Sequence, residues 1–204
     1  MRTQVCITVD TEFSIAGAFR ERAAFPVAGQ RVWCVKDDQS HGLGFMLNCF
    51  RQYGITATFF VEVLNKQYFK HDPMREIAEQ LHTAGHDVQL HLHPCWTIFQ
   101  HADWRERARI PVRPGLDAFF GRAEDESLRL MEDGLETFHT WQLPTPAVFR
   151  TGACSMTMPC TVHRRVPASR TARISAWPCS ARATRTISYT AAATNATGSS
   201  NPRS

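Results

Sequence analysis

The amino-acid composition of this chain changes abruptly near residue 155. Residues 156–204 contain no Leu, Phe, Asp, Glu or Lys, yet they carry seven Arg among runs of Ala, Ser and Thr. Such a segment cannot bury enough apolar surface to offset the conformational entropy lost on ordering it. We therefore predict a partial domain at 1–155, followed by an unstructured, low-complexity basic tail at 156–204.

The tail has the composition that GC-rich coding sequence gives when it is read in the wrong frame. A shift of one base near Ser155 is compatible with Asn-Asp-Asp-Ala-Leu, a polar start for a further helix. We therefore predict that the tail is out of frame and that the domain before it is truncated. The alternative is a natural disordered tail that binds acidic partners.

Charge and cysteine usage exclude several classes of function. The formal net charge is +4, but without the tail's seven Arg the remaining 16 basic and 19 acidic residues give −3, which argues against a nucleic-acid partner. The seven Cys form no C-x-x-C pair, as expected in a reducing compartment. A strand-like segment begins within a few residues of Met1, and no apolar run approaches the roughly 18 residues of a membrane span. We expect a cytoplasmic protein with no signal peptide and no membrane span.

Hydrophobic periodicity before residue 155 alternates between strand and helix patterns. Short β-branched or alternating runs predict strands, and apolar residues at helical spacing predict helices between them. The strands are predicted at 5–10, 55–63, 86–93 and 147–151, the helices at 43–53, 73–84 and 125–141, and long loops at 14–40 and 94–123. This order is typical of βαβ units, so we predict an α/β fold with a parallel sheet or barrel.

Chemically capable side chains fall at the carboxyl ends of these strands, where α/β folds bind their ligands. They are Asp10, Glu12, His91, His93 and Arg150. The pairs Asp10/Glu12 and His91/His93 are each spaced i, i+2, which places both members on one face of an extended segment. Two carboxylates and two imidazoles there predict a metal site or a metal ligand beside a general base. Simpler interpretations are a turn carboxylate with a helix cap, and surface histidines.

Arg150 and three further residues have two interpretations each. A buried Arg at a strand end needs an acidic partner, for which Asp10 is the obvious candidate, whereas an exposed one is a solvated strand terminus. Cys95 is either a ligand or a small buried hydrophobe. Trp33 and Trp96 lie in the long loops, where they form either a substrate-binding wall that stacks on sugars or a small core within the loops.

Four short motifs occur in an order that resembles the polysaccharide deacetylase family, the NodB-homology hydrolases also called family 4 carbohydrate esterases. They are TVDTEF (8–13), ATFFVE (57–62), GHDVQLHLHP (85–94) and FRTG (149–152). The resemblance covers residues 3–155. It implies the N-terminal part of an irregular (β/α) barrel, a divalent cation, typically Zn²⁺, and an acetylated saccharide as substrate.

The resemblance also implies residue roles. Asp10 matches the general base, Arg150 the Arg that orients it, and Glu12 and His91 match metal ligands. The family's second His lies four residues after the first, a position held here by Cys95, so the third ligand stays open between His93 and Cys95. Thr11 separates two acidic residues that are adjacent in the family, and Thr151-Gly152-Ala153 replaces a Pro-aromatic continuation. No residue matches the late Leu-x-His that supplies a proton donor, so the alternative is an inactive remnant.

Overall fold

The computed structural model describes residues 5–112, 115–152 and 175–176. Its main element is a parallel sheet of five strands in the order β1-β4-β5-β6-β7. The strands are β1 (Thr8–Thr11), β4 (Thr58–Glu62), β5 (Asp87–Leu92), β6 (Val148–Thr151) and β7 (Ser175–Ala176). A two-stranded antiparallel ribbon, β2 (Val35–Lys36) and β3 (Gln39–Ser40), lies outside this sheet. The predicted parallel α/β arrangement is confirmed.

Three long helices connect the strands close to where the sequence places them. They are α2 (Leu43–Tyr53), α3 (Pro73–Thr83) and α5 (Glu124–Thr140). Gly54 ends α2 in the left-handed region at φ 61°, which L-residues other than Gly rarely adopt. Proline starts α3 at a position whose N–H needs no helical partner.

Helix α5 packs closely against β5. A Cβ placed on Gly134 would lie 2.9 Å from a Leu90 methyl, so glycine allows this approach. The helix buries Leu130, Met131, Leu135 and Phe138, each of which contributes roughly 1.5–3 kcal/mol of transfer free energy. The strands β4 and β5 are buried almost throughout, as expected for a parallel sheet covered on both faces.

The long loops contain short elements that the sequence does not predict. The first holds α1 (Gln30–Trp33) and the β2–β3 ribbon, and the second holds a 3₁₀ helix (Pro94–Gln100) and α4 (Trp104–Arg107). A further 3₁₀ helix, Leu64–Gln67, follows β4. These segments are too short for a periodic pattern to show.

The predicted first strand is displaced along the chain. Val5 is 81% exposed, and β1 runs from Thr8 to Thr11 instead of over 5–10. The strand begins at Thr8 because this residue pairs with Thr58, the first residue of β4. Residues before Ile7 have no strand opposite them in the described structure.

The structure describes two residues of the segment 156–204, for which the sequence predicts an unstructured tail. Ser175 and Ala176 form β7, which pairs in parallel with Val148 and Phe149 of β6. This strand supplies backbone partners to an edge of β6 that would otherwise be unpaired. The rest of the predicted tail, including the frameshift position, lies outside the described residues.

In the described part of the chain, β1 and β7 each pair on one side only. The partial, irregular (β/α) barrel that the family resemblance implies therefore stays a prediction. No described helix has both the length and the apolar character to cross a membrane.

Candidate metal centre

Three side chains from two strand ends meet around one point. Glu12 follows β1 directly, His91 lies in β5, and His93 follows β5. The Oε2 atom of Glu12 is 2.5 Å from Nε2 of His93 and 3.3 Å from Nε2 of His91. We call these residues the Glu–His–His cluster. The carboxylate oxygen and the two imidazole nitrogens all lie within 4.8 Å of one another. Together they form a donor set that suits Zn²⁺ and similar divalent cations.

Hydrogen bonds at the far side of each ring orient the two imidazoles. Nδ1 of His91 lies 2.9 Å from the carbonyl oxygen of Arg150, which can only accept, so Nδ1 carries the proton. Nδ1 of His93 lies 2.7 Å from Oδ2 of Asp117. The Nε2 atom on the opposite side of each ring faces Glu12. A carboxylate or carbonyl behind each histidine is the arrangement that fixes histidine ligands in metal sites.

Burial and hydrogen bonds within the cluster shift the pKa values of Glu12 and His93 in opposite directions. Burial raises the pKa of Glu12, but its hydrogen bonds to His91 and His93 outweigh this effect and hold that pKa far below its usual range. Burial lowers the pKa of His93, but its hydrogen bonds to Asp117, Cys95 and Glu12 raise it well above its usual range. Both shifts strengthen the ion pair between Glu12 and His93.

A second ion pair lies beside the cluster. Nη1 of Arg150 is 2.5 Å from Oδ1 of Asp10, and Nη2 donates to Oγ1 of Thr8 over 3.0 Å. The guanidinium also lies over the ring of Phe60, 4.0 Å from its centroid. Asp10 keeps 36% of its side chain exposed, whereas Arg150 keeps 8%. Arg150 is therefore buried against the sheet, and it presents an oriented carboxylate to solvent.

Glu62 is a buried carboxylate that the sequence interpretation did not single out. It ends β4, is fully buried, and its two oxygens accept the backbone N–H groups of Leu64 and Asn65 at 2.8 Å each. Its Oε1 also lies 3.4 Å from the N–H of His93. Burial raises the pKa of Glu62 to about 7. An acidic residue at the end of an otherwise apolar strand was the available signal.

Asp117 was also missed, because it lies in a loop with no periodic pattern. One of its oxygens accepts from His93, and the other lies 3.4 Å from the N–H of Cys95. The thiol of Cys95 is buried, and burial raises its pKa to about 12. The structure groups His93 with Glu12 and His91, and it places Cys95 behind His93 with Asp117.

The sequence left Trp33 and Trp96 open between a substrate-binding wall and a small core within the loops. Trp96 is 1% exposed and packs against Phe69 and Phe99, so it belongs to the core and offers no face to a sugar. This packing agrees with the second interpretation of Trp96, a small core within the loops. Trp33 lies half-buried at the end of α1, where its carbonyl accepts hydrogen bonds from Ser40 and Gly42.

Gly152 leaves the space that the His93 ring occupies. A Cβ on Gly152 would lie 2.2 Å from Nδ1 of His93. We expect Gly152→Ala to push the ring away from Asp117 and Glu12 and to weaken Zn²⁺ binding by about 10–100-fold, the range found when the partners of metal ligands are lost. Competition with a chromogenic chelator measures this affinity.

Gly115→Ala is the matched control for this substitution. Apart from its chain neighbours, no described residue has an atom within 4 Å of a Cβ on Gly115, so Zn²⁺ affinity should stay at the wild-type value. Wild-type affinity in Gly152→Ala would show that the position of the His93 ring does not matter for binding.

Comparison with known proteins gives little independent support. No family model and no curated protein matches the sequence. A crystal structure from Mycobacterium smegmatis, provisionally assigned as a polysaccharide deacetylase, matches at 17% identity with a TM-score of 0.46. The match covers 74% of this chain and 44% of that one, so this chain spans less than half of that protein's length. This is a distant likeness, and the proposal below rests on the site.

Proposed function

We propose that this protein is a metal-dependent hydrolase of the polysaccharide deacetylase type, which removes acetyl groups from a carbohydrate. Glu12, His91 and His93 would hold one divalent cation, with Zn²⁺ the best fit to the donor set. The observation that carries the proposal is the convergence of two Nε2 atoms on one Glu12 oxygen, with both Nδ1 atoms anchored from behind.

The ion pair of Asp10 and Arg150 beside the cluster supports a hydrolytic function in addition to metal binding. A bound divalent cation lowers the pKa of water and polarises an acyl carbonyl. Asp10, partly exposed beside the cluster, is the group available to accept a proton from the attacking water. Arg150 holds this carboxylate in position and supplies a positive charge beside it. The four motifs that resemble the deacetylase family include Asp10, Arg150 and all three residues of the Glu–His–His cluster. They do not include Asp117, the partner of His93.

A metal-binding protein without turnover is the second candidate. It is favoured by a sequence observation, since no Leu-x-His motif follows Gly152 and the leaving group then lacks the family's proton donor. The third possibility, a module that binds acidic partners through a basic tail, depends on residues outside the described structure.

Metal-dependent acetate release tests the first candidate. The full chain, stripped with chelator and reloaded with Zn²⁺, should bind about one equivalent of metal and release acetate from an N-acetylated chitooligosaccharide or an O-acetylated xylooligosaccharide. Chelation should remove the activity, and Zn²⁺ should restore it. Stoichiometric metal without acetate from either substrate would favour the second candidate. Failure to bind any divalent cation would contradict both.

A further inference from the structure

An apolar cavity of about 700 Å³ adjoins the Glu–His–His cluster on the side of His93 that faces Asp117. Its walls come from the loop after β1, from Cys95, and from the loop before α5. Asp117 belongs to both places, because it lines the cavity and also accepts the hydrogen bond from Nδ1 of His93. A volume of this size suits a ligand much larger than an acetyl group.

The lining of this cavity is unusual for solvent-facing loops. Ile110 and Val112 are 58% and 42% exposed, and Ile15, Phe19 and Leu116 continue the apolar wall inward towards the core. Phe19 is held in place against Phe99, with ring centroids 5.7 Å apart. Exposed aliphatic side chains around a concave apolar surface indicate a site that is covered by a ligand.

The charged side chains that line the cavity indicate the charge of its ligand. Arg20 lines the cavity, its side chain is exposed, and within the described residues its guanidinium makes no hydrogen bond or ion pair. Asp117, the other charged group of the lining, has one oxygen on His93 and the other near the Cys95 N–H. Arg20 is therefore the charge that remains available, and it attracts an anion.

We propose that this cavity binds an anionic amphiphile, with its alkyl or aryl part against Ile15, Ile110 and Leu116 and its carboxylate or phosphate at Arg20. This site goes beyond the proposed function and does not require it.

Calorimetric titration with octanoate tests the site on the full-length protein. Acetate provides the charge without the chain, and 1-octanol provides the chain without the charge. Each CH₂ group buried in the cavity should strengthen binding about fourfold, so octanoate should bind far more tightly than acetate. An exposed ion pair between Arg20 and the carboxylate of octanoate should make octanoate bind about two- to fivefold more tightly than octanol. No saturable binding of octanoate would overturn the proposal.

Two substitutions at exposed positions locate the ligand. Arg20→Gln should remove the preference for octanoate over octanol, and Ile110→Asp should weaken octanoate binding by roughly tenfold or more, because it places a negative charge at the apolar rim. The matched controls Arg31→Gln and Phe45→Asp lie on other exposed surfaces and should bind octanoate like wild type. Equal binding by all five proteins would place the octanoate elsewhere and overturn the site.

Titration with and without Zn²⁺ separates this site from the metal centre. Octanoate binding that is unchanged by metal supports the cavity, because its lining residues do not need the cation. Binding that occurs only with Zn²⁺ would show that the carboxylate binds the metal, and it would overturn the cavity assignment. These measurements need no turnover, so they stand whether or not acetate release is found.

Discussion

Replacing Asp10 by Asn is expected to slow acetate release by about 10²–10⁴-fold, the usual contribution of a general base, while leaving metal content unchanged. Asn keeps an oxygen that can accept from Nη1 of Arg150, so the neighbouring side chains should stay in place. It cannot take a proton from water at neutral pH. Steady-state rates together with metal analysis by mass spectrometry measure the two effects separately.

Asp103→Asn is the matched control for this substitution. Asp103, the residue before α4, also pairs with an arginine, Arg107, at 2.7 Å, but both side chains of this pair are about half exposed. The control should retain both rate and metal. A wild-type rate in Asp10→Asn would exclude Asp10 as the base, and loss of metal in the same variant would make Asp10 a ligand.

Replacing His91 by Ala is expected to weaken Zn²⁺ binding by more than about a hundredfold, and to abolish acetate release with it. Loss of a hydrogen-bond partner behind a metal ligand already weakens metal binding by about 10–100-fold, and this substitution removes a proposed ligand itself. The remaining Glu12 and His93 supply only two donor atoms, fewer than a stable zinc site uses.

His139→Ala controls for the loss of an imidazole, because His139 is 82% exposed on α5. Thermal unfolding of the metal-free proteins tests whether His91→Ala is folded, since His91 is 2% exposed and its removal leaves the Arg150 carbonyl without that hydrogen bond. Unchanged zinc stoichiometry in a folded His91→Ala protein would rule out the ligand assignment.

Local pattern was sufficient to predict the elements that carry this site. The alternation of residues 86–93 placed His91 and His93 at a strand end, and the helices around Leu47 and Ile77 show the 3.6-residue period of amphipathic surfaces. Parallel strands bring their carboxyl ends to one edge, so the meeting of Glu12 with His91 follows from the strand order.

The parts that sequence could not supply depend on contacts between distant segments. Asp117 reaches His93 from a loop 24 residues further along the chain, and no spacing rule links them. The start of β1 depends on where β4 begins, because pairing sets it. Trp96 looked equally suited to a surface or a core, and only the packing of Phe69 and Phe99 around it decides between them.

The position of Arg150 also has a consequence for the order in which the molecule folds. Its side chain reaches Asp10 across 140 positions of sequence, while its main-chain carbonyl holds His91. Both contacts need β6 to have docked beside β5, and contacts of such long range close late because the loop entropy must first be overcome. Metal uptake should therefore follow assembly of the sheet, so the rate at which a refolding chain acquires zinc would report its final step.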